Sequence, residues 1–474
     1  MKRFYSLFFL AVAMLSVACA PNERTFVVLS TNDMHARIQH FPQLASAVEA
    51  CRDTIEVVLL VDAGDRWTGN AYVDKVALPG LPVIELMNRL GYDVATLWNH
   101  EFDHGQAHLA RLIDSMECEV IAANTLSDTC SFPTLPSYAI IKRHGVRFGF
   151  VGVVTNYEGE QRPAGNASSY LGLHFPDPQQ SALAVGEALR KKGDVLVLLS
   201  HMGDDRDMEF LAAGSPYDLV IGGHTHQQVD TLVGEALLTQ TGKNLNALGV
   251  TKIVMRKREI VSVDFDLLPL ADRVPDPAFQ AEVERYYADP TLNAPVGEFS
   301  SAATKEGLAY WMAEAIADEA DADIGIYHIG GVRLDSIEQG GVSTAKVYDL
   351  EPFGSGVARV EMTPAQLREL IIAKYNDTEN RKEAHRLDLY ATTPYVIVTD
   401  GADQALDVVF PDLREGKHYE VAMCDYIFRN YKQLHYFEGG LADKKVADIL
   451  LEELREESPL TPSNTPRQRV VVRH

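Results

Sequence analysis

Five apolar runs in the first half of the chain end in residues that bind metals or move protons. Phe26–Leu29 leads into Thr31-Asn32-Asp33-Met34-His35, Val57–Val61 into Asp62-Ala63-Gly64-Asp65, and Val94–Leu97 into Trp98-Asn99-His100-Glu101. Val195–Leu199 ends in Ser200-His201, and Leu219–Ile221 in Gly222-Gly223-His224-Thr225-His226. Residues i and i+2 of an extended chain point the same way, so Asp33 with His35, and His224 with His226, can each present two side chains to one place. Singly these signals are weak, because an Asp-x-His arises by chance and a lone histidine is more often a packed core residue. Together they form a set of carboxylate, imidazole and amide donors with no cysteine among them. Such a set suits Zn, Mn or Fe, and its size suits two ions rather than one.

Strand ends converge only if the strands share a sheet. The runs above, with Phe148–Val154, are short, rich in Val, Ile and Leu, and bounded by Gly, Asp and Asn. They read as buried strands. Helical patterns at Leu81–Leu90, Ala107–Ser115 and Gln179–Lys192 alternate with them, which predicts a layered α/β domain from Phe26 to about Asp264. Open α/β sheets place ligands at the carboxyl ends of their strands, where these residues lie. Asp272–Pro295 carries four prolines and a polar helical stretch, Phe279–Tyr287, and reads as a connector. A second block, Ser300 to Leu454, mixes helices (Leu308–Glu319, Pro364–Tyr375) with strands (Val357–Glu361, Tyr395–Val398, Tyr419–Met423). Ser458–Pro466 reads as a tail, followed by a short strand candidate at Val470–Val472, and no internal repeat is present.

Composition bounds the partners. The 474 residues are 46% hydrophobic and 23% charged, which fits two or three globular domains and excludes collagen-like or wholly disordered classes. With 43 Lys and Arg against 67 Asp and Glu, the net charge of -24 repels nucleic-acid polymers and anionic membrane surfaces. Lys2 and Arg3 precede a nine-residue apolar run, Leu7–Leu15, and then Ser16-Val17-Ala18-Cys19. This is the layout of a secretory signal, and the run falls short of the ~20 residues that span a bilayer. Ser-Val-Ala-Cys also resembles a bacterial lipobox, with Ser16 where Leu is preferred. It predicts a lipid on Cys19 as the protein's membrane contact, in the periplasm or at the cell surface. Cys51, Cys118, Cys130 and Cys424 show no metal-binding spacing; Cys118 and Cys130 either pair in an oxidising compartment or stay buried thiols.

Asn32-Asp33-Met34-His35, Asp62-Ala63-Gly64-Asp65, Asn99-His100-Glu101-Phe102-Asp103, Ser200-His201-Met202-Gly203 and Gly223-His224-Thr225-His226 resemble successive blocks of the calcineurin-like metallophosphoesterases. Pro82-Val83-Ile84-Glu85-Leu86-Met87-Asn88 and Leu90-Gly91-Tyr92-Asp93 narrow the resemblance to the 5'-nucleotidases, over roughly residues 26 to 430. The resemblance implies an α/β chain with a four-layer α/β/β/α sandwich at 25–268, a connector at 269–299 and a C-terminal α/β nucleotide-recognition domain at 300–456. Residues 1–19 would be the signal and 457–474 a tail. Two divalent metal ions are implied. Asp33, His35 and His226 would hold one and Asn99, His201 and His224 the other. Asp65 would bridge them, with Asp62 the alternative from spacing alone. Such a pair, ~3.5–4 Å apart, clamps a phosphoryl group and acidifies a water for in-line attack on phosphorus. His100 would be the catalytic histidine and Asp103 the carboxylate that orients it.

In the second block, His328-Ile329-Gly330-Gly331-Val332-Arg333 resembles the substrate loop of that family. Glu351-Pro352-Phe353-Gly354 and Tyr426 match its stacking aromatics, so Gly330, Gly331, Arg333, Phe353 and Tyr426, with His328, are the expected substrate contacts. Three departures stand out. His328 replaces an Asn, Phe428-Arg429-Asn430-Tyr431 replaces a Gly-Gly-Asp, and Trp98 replaces the Gly before Asn99. Only Lys305 stands where further arginines are expected. The expectation is an exported phosphohydrolase acting on a small phosphorylated molecule, a nucleotide 5'-monoester foremost. The alternatives are a 2',3'-cyclic phosphodiesterase, a nucleotide-sugar hydrolase, a more distant thiosulfohydrolase, and a metal-containing lipoprotein that binds a ligand without turnover.

Overall fold

The computed structural model describes residues 23–128, 132–156, 161–165, 167–377 and 387–473. The expected signal, Cys19 and Cys130 lie outside the described residues. Cys51, Cys118 and Cys424 are free thiols. No helix among the described residues is long and apolar enough to cross a membrane.

The first domain is built on two six-stranded sheets. One runs in the order Glu259–Pro269, Ala247–Arg256, Glu23–Thr31, Val58–Asp62, Val94–Thr96, Glu119–Ile121, and the other Gln228–Val233, Ala236–Thr241, Leu219–Ile221, Val195–Ser200, Val146–Val153, Tyr138–Arg143. The period-two geometry of a strand explains why the central runs are apolar at every position. Phe26 and Val28 face the second sheet while Val27 and Leu29 face helices, and Val197 and Leu199 alternate with Leu196 and Leu198 in the same way. Three cores follow: one between the sheets and one beneath the helices on each outer face. The result is the expected four layers. The helix Leu81–Leu90 has the predicted bounds because Pro82 sits in its first turn and Gly91, at φ 75°, turns left-handed to cap it.

The connector is welded to the first domain. Phe279 and Val283 of the helix Pro277–Tyr287 are buried in its core, and Arg89 pairs with Glu282. Contacts then run on through the connector to the second domain: Tyr72 Oη donates to Asn293 Oδ1 of the connector at 2.5 Å, and Ala71 N–H to Asp349 Oδ1 of the second domain at 2.7 Å.

The second domain carries a five-stranded sheet, Leu389–Ala391, Ile324–His328, Tyr419–Cys424, Gly356–Met362, Gly440–Lys445, around the helix Lys305–Glu319. That helix is apolar nearly all round because it is buried nearly all round. Gly325 lets the adjoining strand press on the Ala313 carbonyl, where any Cβ would collide. The segment expected as a tail is part of the fold. Ser300 N–H donates to Leu460 O, and Gln468–Val472 pairs in parallel with Tyr395–Thr399. A strand candidate of three apolar residues is too short to place by pattern; its partner lies 73 residues upstream.

Candidate metal centre

The expected ligands meet at the carboxyl ends of the two sheets. His35 Nε2 lies 3.0 Å from His226 Nε2, and Asp33 Oδ1 lies 3.5 Å from His226 Nε2, 3.8 Å from His201 Nε2 and 3.9 Å from His35 Nε2. Asp65 Oδ2 is 3.5 Å from His201 Nε2. Asp33, His35, Asp65, Asn99 and His201 are all buried. His224 donates its main-chain N–H to Asp33 Oδ2 at 3.2 Å, and its ring centroid is 5.1 Å from that of His201.

Backbone geometry shows how much the fold invests here. Asp33, His35, Asp65, His224 and His226 all adopt positive φ, between 45° and 75°. Non-glycine residues held in that region cost of order 1–3 kcal/mol each and persist only where the surroundings impose them. The imposition is visible, because the two loops zip together. Asp33, His35 and Ala36 N–H donate to the carbonyls of Gly64, Asp65 and Arg66 at 2.8–3.0 Å. Asn32 adds a brace, donating to Asp33 Oδ2 and to Gly242 O and accepting from Thr241.

Asp62 is spoken for. Its Oδ1 accepts from Gly64 N–H and Arg66, its Oδ2 from Thr31, so it faces away from ligand duty and leaves Asp65 to the cluster. Arg66 and Glu101 are functional residues that the sequence reading passed over. Glu101 accepts the main-chain N–H groups of Asp65 and Arg66 at 3.2 and 2.9 Å, holding the turn on which Asp65 sits. Arg66, fully buried, donates to Asp62 at 2.8 Å and to Thr96 O at 2.7 Å and lies 3.6 Å from Glu101. The available signal was opposite charges directly beside Asp65 and His100 inside apolar strand-end loops.

His100 joins the cluster through its main-chain N–H on Asp65 Oδ1, while its Nδ1 hydrogen-bonds Asp103 Oδ2 at 2.7 Å. Phe353, from the second domain, stacks on His100 at 6.0 Å, and the Arg333 guanidinium lies 5.7 Å over Phe353. Glu351 holds that turn by accepting from Gly354 and Ser355. His328 instead stacks on Tyr426 at 4.8 Å and covers Gly330 and Gly331, which leave its ring room. Of the expected substrate residues, Arg333 and Phe353 thus meet the metal cluster, and His328 and Tyr426 form a separate stack.

The electrostatics fit cations. Burial, then the charge of Asp65, push the Asp33 carboxyl well above its ordinary range, and burial raises Asp65 to about 7. Burial holds His35 and His201 well below theirs, so their imidazoles stay neutral and ligand-ready. Asp33 Oδ1, Asn99 Oδ1 and both ring nitrogens of His201 are buried without a hydrogen-bond partner among the described residues. Buried polar atoms are normally paired, and divalent cations would satisfy this donor set. A pH signature follows. Asp65 titrates at about 7 folded and near 4 unfolded, so the folded chain keeps a proton that the unfolded chain sheds in between. In chelated protein the melting temperature of wild type relative to Asp65→Asn should fall as pH rises from about 4 to about 7, whereas the opposite contribution of the neutral His35 and His201 is common to both and cancels. A pH-independent difference between the two chelated proteins would contradict it.

Residues 26–228 match the model of the calcineurin-like phosphoesterases, and residues 290–438 that of the 5'-nucleotidase C-terminal domain. The endonuclease YhcR of Bacillus subtilis is 27% identical over 417 residues, 75% of this chain and 33% of the relative. A 5'-nucleotidase of Vibrio cholerae is 24% identical, over 73% of this chain and 74% of its own. The chain spans about a third of the length of the first curated relatives it matches. In fold it is similar to a 5'-nucleotidase precursor from Thermus thermophilus, with TM-score 0.80, 19% identity and coverage of 94% and 99% of the two chains.

Proposed function

Since the chain belongs to the calcineurin-like phosphoesterases through residues 26–228 and carries a 5'-nucleotidase C-terminal domain at 290–438, we propose that it is a metal-dependent phosphohydrolase that releases phosphate from a nucleotide. The observation that carries this reading is the cluster of buried Asp33, His35, Asp65 and His201 with half-buried His226, and its unpartnered donor atoms. Asp33, His35 and His226 would hold one divalent cation, Asn99, His201 and His224 a second, and Asp65 would be shared. When bound, such a pair supplies charge neutralisation at the phosphoryl group and an acidified water.

The chain's own residues do the rest. Arg333 supplies a guanidinium suited to fork onto phosphate oxygens. Phe353 offers a face for a nucleobase. His100, fixed by Asp103, is placed to give a proton to the leaving oxygen. We place the protein outside the cytoplasm, with residues 1–19 as an export signal and Cys19 as its lipidation site.

Purified protein lacking residues 1–19 should release phosphate from a nucleoside 5'-monophosphate. Chelator should lower the rate at least 100-fold and added Mn2+ or Zn2+ restore it, as expected when the ions supply most of the transition-state stabilisation. The assay panel should include cyclic nucleotides and nucleotide sugars. Preference for either would redirect the substrate assignment, and bound metal without turnover on any of them would sink the hydrolase reading.

A further inference from the structure

Behind the candidate cluster lies a second set of buried polar side chains. It sits where three neighbouring parallel strands end, Val195–Ser200, Leu219–Ile221 and Ala236–Thr241, beside the first turn of the helix Asp204–Ala212. Asp207 and Gln240 are both fully buried there. Asp207 Oδ1 accepts from Ser200 Oγ at 2.5 Å, and Ser200 Oγ accepts Met202 N–H at 3.3 Å. Gln240 Nε2 donates to Thr225 Oγ1 at 3.2 Å, and Thr225 Oγ1 donates to Asp204 Oδ1 at 2.5 Å. Two atoms are left over: Asp207 Oδ2 and Gln240 Oε1 are buried without a hydrogen-bond partner among the described residues. Both face the bare Cα of Gly222, where a Cβ would lie 2.9 Å from Asp207 Oδ2 and 3.5 Å from Gln240 Oε1.

The protons available fix the direction of each bond. A hydroxyl has one proton. Thr225 gives its proton to the Asp204 carboxylate, so it must accept from Gln240, and the amide oxygen is thereby turned toward Gly222 and Asp207. Ser200 gives its proton to Asp207 Oδ1. Two acceptors are then left on one side of Gly222, out of water and unpaired, which is unfavourable. A proton on Asp207 Oδ2 resolves the conflict, because a protonated carboxyl donates as well as accepts. A bridging water would need further polar partners, and the next atom over Gly222 is Leu238 Cδ1 at 3.6 Å. Burial also pushes this carboxyl up to about 7, against the opposing Ser200 hydrogen bond. The charged groups that bear on it, Asp204, Arg206 and Asp205, belong to its own helix, while the strands present Ser200, Gly222 and Gln240.

We infer that Asp207 works as a neutral carboxylic acid, donating from Oδ2 to Gln240 and so bolting the strand end that leads into His201 to the loop that carries His224 and His226. Ser200 immediately precedes His201, and Thr225 stands between His224 and His226, both of which hold positive φ. Asp207 is thus a positioning residue that acts through two backbones. The positioning role rests on the ligand assignment proposed above; the proton does not.

Infrared spectroscopy of chelated protein tests the proton without metal or substrate. At a pH of about 6, below the value near which this carboxyl titrates, wild type minus Asp207→Asn should show a carboxylic-acid C=O band that the variant lacks. Mn2+ titration tests the positioning. Asp207→Asn keeps an acceptor for Ser200 and an N–H for Gln240, so it should bind Mn2+ within about 3-fold of wild type, whereas Asp207→Leu should lose about 10-fold or more. Absence of the band would overturn the inference. So would an Asp207→Asn protein that fails to fold or binds Mn2+ as weakly as Asp207→Leu, because the charge would then be what the fold needs. Asp207→Leu binding Mn2+ like wild type would remove the positioning role. The band and the Asn rescue together with no turnover on any nucleotide defeat the hydrolase reading alone.

Discussion

Replacing His100 by alanine should lower kcat for phosphate release by about 10²–10⁴-fold, the range for loss of a positioned proton donor, with metal content unchanged. Burial alone would keep this imidazole neutral. The charges of Asp103 and Asp65 outweigh burial and raise its pKa to about 9. Cations held beside Asp65 would draw that value down, but Asp103 still favours the protonated ring that can serve a leaving oxygen. The sign is then fixed. Activity that needs His100 protonated is present at neutral pH and lost as pH rises through its folded pKa. In Asp103→Asn the counter-charge is gone, the pKa falls, and the alkaline limb of the kcat profile moves to lower pH. A His100→Ala enzyme within a few-fold of wild type, or one that has shed its metal, would remove the histidine from this role.

Arg66→Met should destabilise the protein by about 3–5 kcal/mol, the usual cost of leaving buried charge unpaired. At about 2–4 °C per kcal/mol, that is a melting-temperature drop of roughly 10 °C. The side chain is fully buried, and its loss leaves Asp62 and Glu101 as two acids in the floor of an already acidic cluster. Asp62→Asn in the Arg66→Met background should recover part of the loss, because it removes one stranded charge. Metal affinity should fall in the single variant, because Glu101 then holds the Asp65 turn without a counter-ion. Calorimetry paired with metal titration separates the two effects. Unchanged melting in Arg66→Met would show that the pair contributes nothing to the fold.

The layered first domain was legible because its central strands are apolar on both faces, and its site because each strand end carries its own ligand. Phe26 to Leu29 and Val195 to Leu199 gave no alternation, which is what burial between a sheet and a helix layer dictates. Spacing alone allows either Asp62 or Asp65, and the Gly-Asp pair favours Asp65; the engagement of Asp62 by Thr31, 31 residues away, by Gly64 and by Arg66 agrees with that preference. Arg66 and Glu101 escaped because charge beside a motif says nothing about burial until the third strand end is in place. The strand Gln468–Val472 is long-range by nature, and neither its register nor its partner is written locally.

That late strand has a consequence for biosynthesis. The candidate metal cluster draws on residues 33 to 226, and the sheets that carry it are complete once Glu259–Pro269 has paired with Ala247–Arg256. The first domain can therefore fold while the second is still being made, in the N-to-C order typical of multidomain chains. The second domain cannot close its three-stranded sheet until residue 472 has emerged, although Tyr395–Thr399 is waiting for it. For that interval the nascent chain carries a finished ligand cluster beside an open sheet edge, the state in which a stalled or nicked polypeptide is most open to aberrant strand pairing.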